Sequence, residues 1–328
     1  MNTHQADNPA ADDAPRLSIV IPVYNEEEVL PALFERLYPV LDGLGRRYEV
    51  VFVDDGSTDR SPALLREQFE RRPEVTRVVY LQNNFGQHAA ILAGFRVSRG
   101  EQVITLDADL QNPPEEIPKL VEQLDAGHDY VGTIRRKRRD SLWRTVASRM
   151  MNRLRERITH IRMTDQGNML RGYHRRIIDT INQTREINTF IPALAYLYAL
   201  DPVEITVEHE ARHAGESKYS LYRLIRLNFD LVTGFTTWPL EVFSFIGMLI
   251  SIPSALLVIY MLLRRLIIGP EVEGVFTLFA INFFFIGVIL FGIGLLGEYV
   301  GRIYQEVQNR PRYIIRAVLE QKSEAENS

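Results

Sequence analysis

The chain has 328 residues, a formal net charge of −4 and no cysteine. That length allows one sizeable catalytic domain plus an appendage. The weakly acidic balance gives no footing for nucleic acid, and the absence of Cys excludes disulfides and thiolate-held metals.

Residues 1–15 (MNTHQADNPAADDAP) are polar and rich in Ala, Asp and Pro. They lack the basic and apolar regions of a signal peptide, so they read as a disordered lead, and the following domain is expected in the cytoplasm. Leu17–Pro22 then reads as a strand, Glu26 to about Leu41 as a helix, Tyr48–Val53 as a second strand and Ser61–Arg71 as a second helix. Val75–Leu81, Gln87–Val97, Gln102–Leu106, a helix opened by Pro114, and Tyr130–Ile134 continue the alternation. Strands alternating with helices of this length predict a parallel sheet covered on both faces, with ligands at the carboxyl ends of the strands. Asp140 to about Arg157 reads as a basic helix. Strands are expected near Gln166–Tyr173 and Val203–His209, and an interfacial helix over Tyr219–Phe235.

Two apolar runs close the pattern, Leu240–Leu263 and Val275–Leu296. Each reaches the ~20 residues that a bilayer core requires, and the short connector between them predicts a hairpin. Lys218, Arg223 and Arg226 before it and Arg302, Arg310, Arg312 and Arg316 after it outnumber Arg264 and Arg265 in the connector, which favours cytoplasmic ends. Trp238 stands at the expected membrane edge and Glu298 just past the second run. Pro311–Leu319 reads as a strand that pairs with its own domain or with a neighbouring subunit. The expected organisation is a domain over 16–217, a juxtamembrane helix over 218–239, the hairpin over 240–298 and a C-terminal segment over 299–328.

The acidic residues cluster at predicted strand ends. Asp107 and Asp109 follow Val103–Leu106 and are followed by Leu110-Gln-Asn-Pro-Pro114. Two carboxylates one residue apart repel, and a cation between them relieves the repulsion; oxygen ligands favour Mg²⁺ or Mn²⁺ bridged to phosphates. An Asp-x-Asp triplet is common in solvated loops, so its place after a buried strand carries the argument. Pro22-Val-Tyr-Asn-Glu26 ends the first strand and Asp54-Asp55-Gly-Ser-Thr-Asp59 the second. The latter serves either as a nucleotide pocket or as a turn with a helix cap. No Gly-x-Gly-x-x-Gly follows the first strand, which argues against a nicotinamide cofactor.

PVYNE, VDDGSTD and LDADLQNPPEE, in this order, resemble glycosyltransferase family 2 with a GT-A fold. Asn84–His88, Thr164–Gly167 with Met169–Arg171, Arg212–Lys218, the apolar hairpin and Gly294–Tyr304 narrow the resemblance to polyprenyl-phosphate glycosyltransferases. NFGQHAAILAGF, NTFIP, GESKYS and GVFTLFA resemble the bacterial branch that moves 4-deoxy-4-formamido-L-arabinose. The resemblance implies an inverting transfer from a UDP-sugar to undecaprenyl phosphate at the inner membrane, with membrane lipids around the enzyme and a homo-oligomer, a tetramer in relatives. By the same resemblance Pro22, Tyr24, Glu26 and Asp54 line the nucleotide pocket. Asp107 and Asp109 sit at the diphosphate, Asp109 ahead of Asp107 as direct metal ligand. Gln111 helps close the site, and Arg135, Arg212 and Lys218 contact phosphates. Asp165 corresponds to the acceptor-side carboxylate. Because a phosphate monoester has a second pKa of ~6, a strong base is hardly needed, and Asp165 is expected to orient the acceptor or steady positive charge. The rest of the basic run Arg135–Arg139 is expected to meet anionic headgroups. The rival readings are an inactive membrane-tethered binding protein, a transporter, a processive synthase (whose Gln-x-x-Arg-Trp is missing), and transfer of glucose or N-acetylhexosamine instead.

Overall fold

A strand buried on both faces is largely apolar, and four such runs build the centre of this protein: Leu17–Val23 (β1), Tyr48–Asp54 (β2), Thr76–Leu81 (β3) and Gln102–Thr105 (β4). The buried polar Ser18, Glu49 and Arg77 within them are hydrogen-bonded to one another. The computed structural model describes residues 14–135, 163–165, 167–184, 190–210, 237–268, 275–308 and 310–321. The expected basic helix over Asp140–Arg157, the interfacial helix over Tyr219–Phe235 and the sites Arg212 and Lys218 lie outside the described residues. Tyr130–Arg135 (β5), Arg171–His174 (β6), Pro202–Val207 (β7) and Ile315–Leu319 (β8) complete a sheet of eight strands, ordered β7-β5-β6-β4-β1-β2-β3-β8. β1 to β4 are mutually parallel, as are β5 and β7; β6 and β8 run against their neighbours.

Side-chain alternation assigns the two cores. Ile19, Ile21, Val50 and Phe52 face one cluster with Leu30, Leu33 and Leu37 of helix α1 (Leu30–Gly43). Val20, Val51 and Val53 face the other with Ile91, Ala93 and Phe95 of α3 (Gln87–Val97). Each fully buried Val, Ile or Leu contributes about 1.5–3 kcal/mol, so the period-2 pattern fixes register. Helix α2 (Ser61–Arg71) lies against β3. A 3-10 turn (Pro114–Glu116) leads into α4 (Ile117–Asp125), which buries Ile117, Leu120, Val121 and Leu124 at one-face helical spacing. α5 (Arg175–Gln183) and α6 (Ile191–Tyr198) follow β6.

Two sequence expectations shift. Helix α1 begins at Leu30 rather than Glu26, because the backbone N–H groups of Glu26 and Glu27 donate to the Ser61 and Asp59 side chains at 2.9 and 3.1 Å. The strand expected near Gln166–Tyr173 starts only at Arg171, after a stretch held by side-chain bonds. The last strand pairs with β3 of its own chain, from Val78 opposite Leu319 to Leu81 opposite Ile315. Glu320 beyond it meets Arg77 and Arg99 at 2.5 and 2.8 Å.

The chain divides into two units, the second being helices α7 (Trp238–Ile268, 31 residues) and α8 (Val275–Val307, 33 residues) with their flanks. In it the rings of Phe243 and Phe291 lie 6.0 Å apart, and Gly292 leaves the room that the Phe243 ring fills. Among the described residues no helix is long and apolar enough to cross a membrane.

Candidate active site

Strand direction gathers the site. β1, β2, β4 and β5 all end at one edge of the sheet. β6, running the other way, enters there, with Arg171 opposite Thr105 of β4. The segment 163–170 therefore arrives beside the end of β4, although it precedes a strand.

Pro22 lies in β1 opposite Val53, and Tyr24 just beyond is 46% exposed, with its ring available to a ligand. Asn25 takes a left-handed conformation (φ 55) that Asn tolerates. Its side-chain oxygen accepts from Thr58 N at 2.8 Å, and its own N–H donates to Ser57 Oγ at 3.0 Å. Asp54 is buried at the end of β2, and one of its oxygens accepts from Ser57 N at 3.2 Å. Burial pushes its carboxyl up, and the Ser57 hydrogen bonds offset part of that. Asp55 is different: both of its oxygens are used by the backbone N–H groups of Phe85 and Gly86, at 2.7 and 2.8 Å. It ties the loop after β3 to the loop after β2. The turn reading of the Asp54–Asp59 segment holds, with Asp55 and Asp59 bonding backbone N–H groups across it, while Asp54 lies buried at the strand end beside them.

Gly56 sits where those loops touch. Its φ is +72, and an added Cβ would stand 2.7 Å from the Asn83 carbonyl carbon. Gly56→Ala is expected to cost about 1–3 kcal/mol, read as a drop in melting temperature; an unchanged melt would show that the loops part easily.

At the end of β4, Gln87 Nε2 donates to Asp107 Oδ1 at 2.6 Å. Asp107 is half-buried. Burial first, then the neighbouring Asp109, push it up to about 7; Gln87 and Arg135 act against them and Glu26 with them. Asp109 accepts from the Gln111 backbone N–H at 3.2 Å and from its side-chain amide. Between them Leu110 is forced to φ 57, a conformation costly for a non-glycine residue, and its side chain is buried. Strain of this kind persists only where the surrounding structure over-determines it. Among the described residues no group of three or more His, Asp or Glu forms a metal cage. Two hard carboxylates that repel each other nonetheless fit a divalent ion such as Mg²⁺ or Mn²⁺, which would relieve their repulsion.

Arg135, the last residue of β5, pairs with Asp165. Its Nε and Nη2 donate to the two carboxylate oxygens at 2.7 and 2.9 Å, a bidentate arrangement. Burial would raise the Asp165 carboxyl, but the Arg135 guanidinium outweighs it and holds the group below the usual carboxylate range. Asp165 is therefore an ionised, oriented group. Arg171 lies beneath this pair with no exposure at all. It donates to the Asn168 carbonyl at 2.7 Å, to the Asp165 carbonyl at 2.6 Å and to the Tyr130 hydroxyl. Sequence reasoning gave no role to Gln87 or Arg171; their places inside the quoted motifs Asn84–His88 and Met169–Arg171 were the available signal.

The chain beyond β7 comes back to the cleft. Glu210 N donates to the Gln111 carbonyl at 2.9 Å, and Arg36 grips both Glu115 and Glu210. Arg212 and Lys218 follow, outside the described residues. The structure thus brings Asp54, Asp107, Asp109, Gln111, Arg135 and Asp165 to one sheet edge, with Pro22, Tyr24 and Glu26 between.

Residues 18–181 match the family model described as Glycosyl transferase family 2. This chain belongs to glycosyl transferase family 2, and it is a glycosyltransferase. Over 305 residues, 92% of this chain and 94% of the relative, it is 50% identical to the undecaprenyl-phosphate 4-deoxy-4-formamido-L-arabinose transferase of Edwardsiella ictaluri (strain 93-146). Its α/β sheet, mixed but mostly parallel, is of the GT-A kind that the sequence motifs implied. Among solved structures it is similar to glucosyl-3-phosphoglycerate synthase from Mycobacterium tuberculosis (18% identity, 68% of this chain and 80% of that one, TM-score 0.44). It is also similar to a mycobacterial protein (20% identity, 71% and 77%, TM-score 0.47).

Proposed function

We propose that this enzyme transfers a sugar with inversion from a UDP-sugar to undecaprenyl phosphate, and that the sugar is 4-deoxy-4-formamido-L-arabinose. The carrying observation is the convergence of the Asp107–Asp109 pair, Asp54 and the Arg135–Asp165 pair on one sheet edge. The 50% identity to a relative of that name supports the sugar and the acceptor. In this reading Pro22, Tyr24, Glu26 and Asp54 hold the nucleotide. Asp109, with Asp107, holds Mg²⁺ or Mn²⁺, which when bound offsets charge on the diphosphate. Gln111 fixes Asp109, while Arg135, Arg212 and Lys218 receive phosphate oxygens. An ionised acceptor oxygen forms the bond to the anomeric carbon as the bond from that carbon to UDP breaks, and the electron pair leaves with UDP. No proton need be removed, so Asp165 serves by orienting Arg135 and the acceptor and by facing the positive charge that develops on the sugar.

The membrane belongs to the same proposal. Leu240–Leu263 carries one carboxylate, Glu241, near its start, and Val275–Leu296 carries no charged residue. With basic groups concentrated outside the connector, the reading is a hairpin in the bacterial inner membrane with its ends and the 16–217 domain cytoplasmic. It is joined through an interfacial segment over 218–239 and followed by a C-terminal segment over 299–328. Surrounding membrane lipids, a homo-oligomeric state and a product that feeds lipid A modification and cationic-peptide resistance complete it.

A donor panel tests this. The solubilised full chain with Mn²⁺, undecaprenyl phosphate and several UDP-sugars is expected to release UDP and form glycolipid with the 4-formamido pentose. Release with UDP-glucose alone would overturn the sugar. No release with any donor would favour an inactive binding protein.

A further inference from the structure

We propose that Arg316, on the strand that follows the helical pair, is a donor-binding residue that reads the pyrimidine base, its guanidinium donating to the 4-carbonyl of uracil. The inference rests on the reading of the cleft as a UDP-sugar site and adds to it a residue from the far end of the chain.

The geometry begins with Tyr80 in β3. It is the register partner of Asp54 on one side and of Ala317 on the other. Its hydroxyl is fixed on the Pro62 carbonyl at 3.1 Å, so the ring is a set platform. The Arg316 guanidinium lies over that ring, 5.7 Å from its centre. A register shift between Tyr80 and Leu81 marks the point where β8 meets β3, and Gln82 N donates to the Ile314 carbonyl at 2.9 Å, which secures the start of the strand. Arg316 is exposed at the cleft edge, and among the described residues it forms no salt bridge. A guanidinium stacked on an aromatic face keeps its edge donors free and loses little freedom on binding.

Position along the sheet says which part of the nucleotide arrives there. Neighbouring strands are ~4.8 Å apart. Starting at the acid pair on β4, the edge runs through β1 and β2 to β3, so Tyr80 lies roughly 14 Å away. With the diphosphate at the acid pair, the base falls toward β2 and β3. Uracil there presents an N–H flanked by two carbonyls, which calls for one acceptor and one donor. Asp54 is the acceptor and Arg316 the donor. Burial raises the Asp54 carboxyl, and Ser57 and then the Arg316 charge act to lower it.

Calorimetry on the solubilised full chain with Mn²⁺ tests this, using UDP and CDP against wild type, Arg316→Gln and Arg316→Lys. Cytosine carries an amino group where uracil has its 4-carbonyl. Arg316→Gln is expected to weaken UDP about tenfold and to leave CDP nearly unchanged, with Arg316→Lys intermediate and the melting temperature held. Equal weakening of UDP and CDP would place Arg316 on the phosphates and overturn the base assignment. Unchanged UDP affinity with a lowered melt would make it only a strand clip. A wild-type chain that binds no UDP would fail the UDP-sugar reading itself, whereas wild-type binding that Arg316→Gln leaves intact fails this inference alone.

Discussion

Asp109→Asn is expected to cut sugar transfer by roughly 10²–10³-fold or more, the scale of losing a principal electrostatic partner of the reacting charge. The loss should fall on kcat and appear with every donor that the wild type accepts, measured as UDP release by the solubilised protein. Asn keeps the size of the side chain and one acceptor for the Gln111 backbone N–H, and an unchanged melting temperature would show that folding is not the cause. Full activity would remove the carboxylate from any metal role. Asp107→Asn separates charge from fold further. Its folded-state value of about 7 lies above the ~3.9 of an unfolded Asp. Between those values the folded chain keeps a proton that the unfolded chain has lost, and stability falls as pH rises through the window. In chelator at pH 8, Asp107→Asn should therefore melt above the wild type, with the gain fading toward pH 4, while transfer is lost. A melt unchanged across that range would mean that the pair is not under strain.

Asp165→Asn should lower kcat by about 10²-fold and destabilise the protein by about 1–3 kcal/mol, because Arg135 loses a bidentate partner. The sign of its pH dependence distinguishes its roles. With a folded value held down by Arg135, the pair contributes fully above the unfolded value of ~3.9. That contribution is lost only as pH falls through the depressed one. Asp165 does not titrate near neutrality. An acid limb near pH ~6 would belong to the second ionisation of the acceptor phosphate and should persist in the residual activity of Asp165→Asn. A limb that disappears in the variant would instead make Asp165 the base.

The parallel half of the fold was legible because its signal is local. β1, β2 and β3 are largely apolar on both faces and bounded by turn residues, and α1 shows its buried face in the spacing of Leu30, Leu33, Leu37 and Leu41. The acid-bearing turns were legible for the same reason, since each follows its strand directly. What local pattern cannot carry is pairing over distance. Arg135 and Asp165 were both singled out, yet nothing in the sequence says that they bind each other across 30 positions. Arg171 reads as an ordinary charge until the fold buries it under three acceptors. The late start of β6 has the same origin, because the residues before Arg171 are shaped by its side chain and by Asp165. The expected partner of Pro311–Leu319 was ambiguous because a β-branched run fits any open edge equally well.

That last strand also sets an order on biogenesis. Residues 76–81 are made well before residues 315–319, so their ladder closes only after all of the intervening chain has been made. Contacts so distant in sequence form late and leave an open sheet edge meanwhile. Translation arrested before residue 311 would leave a nascent chain with β3 uncapped, a state prone to sticking edge to edge and in need of a chaperone.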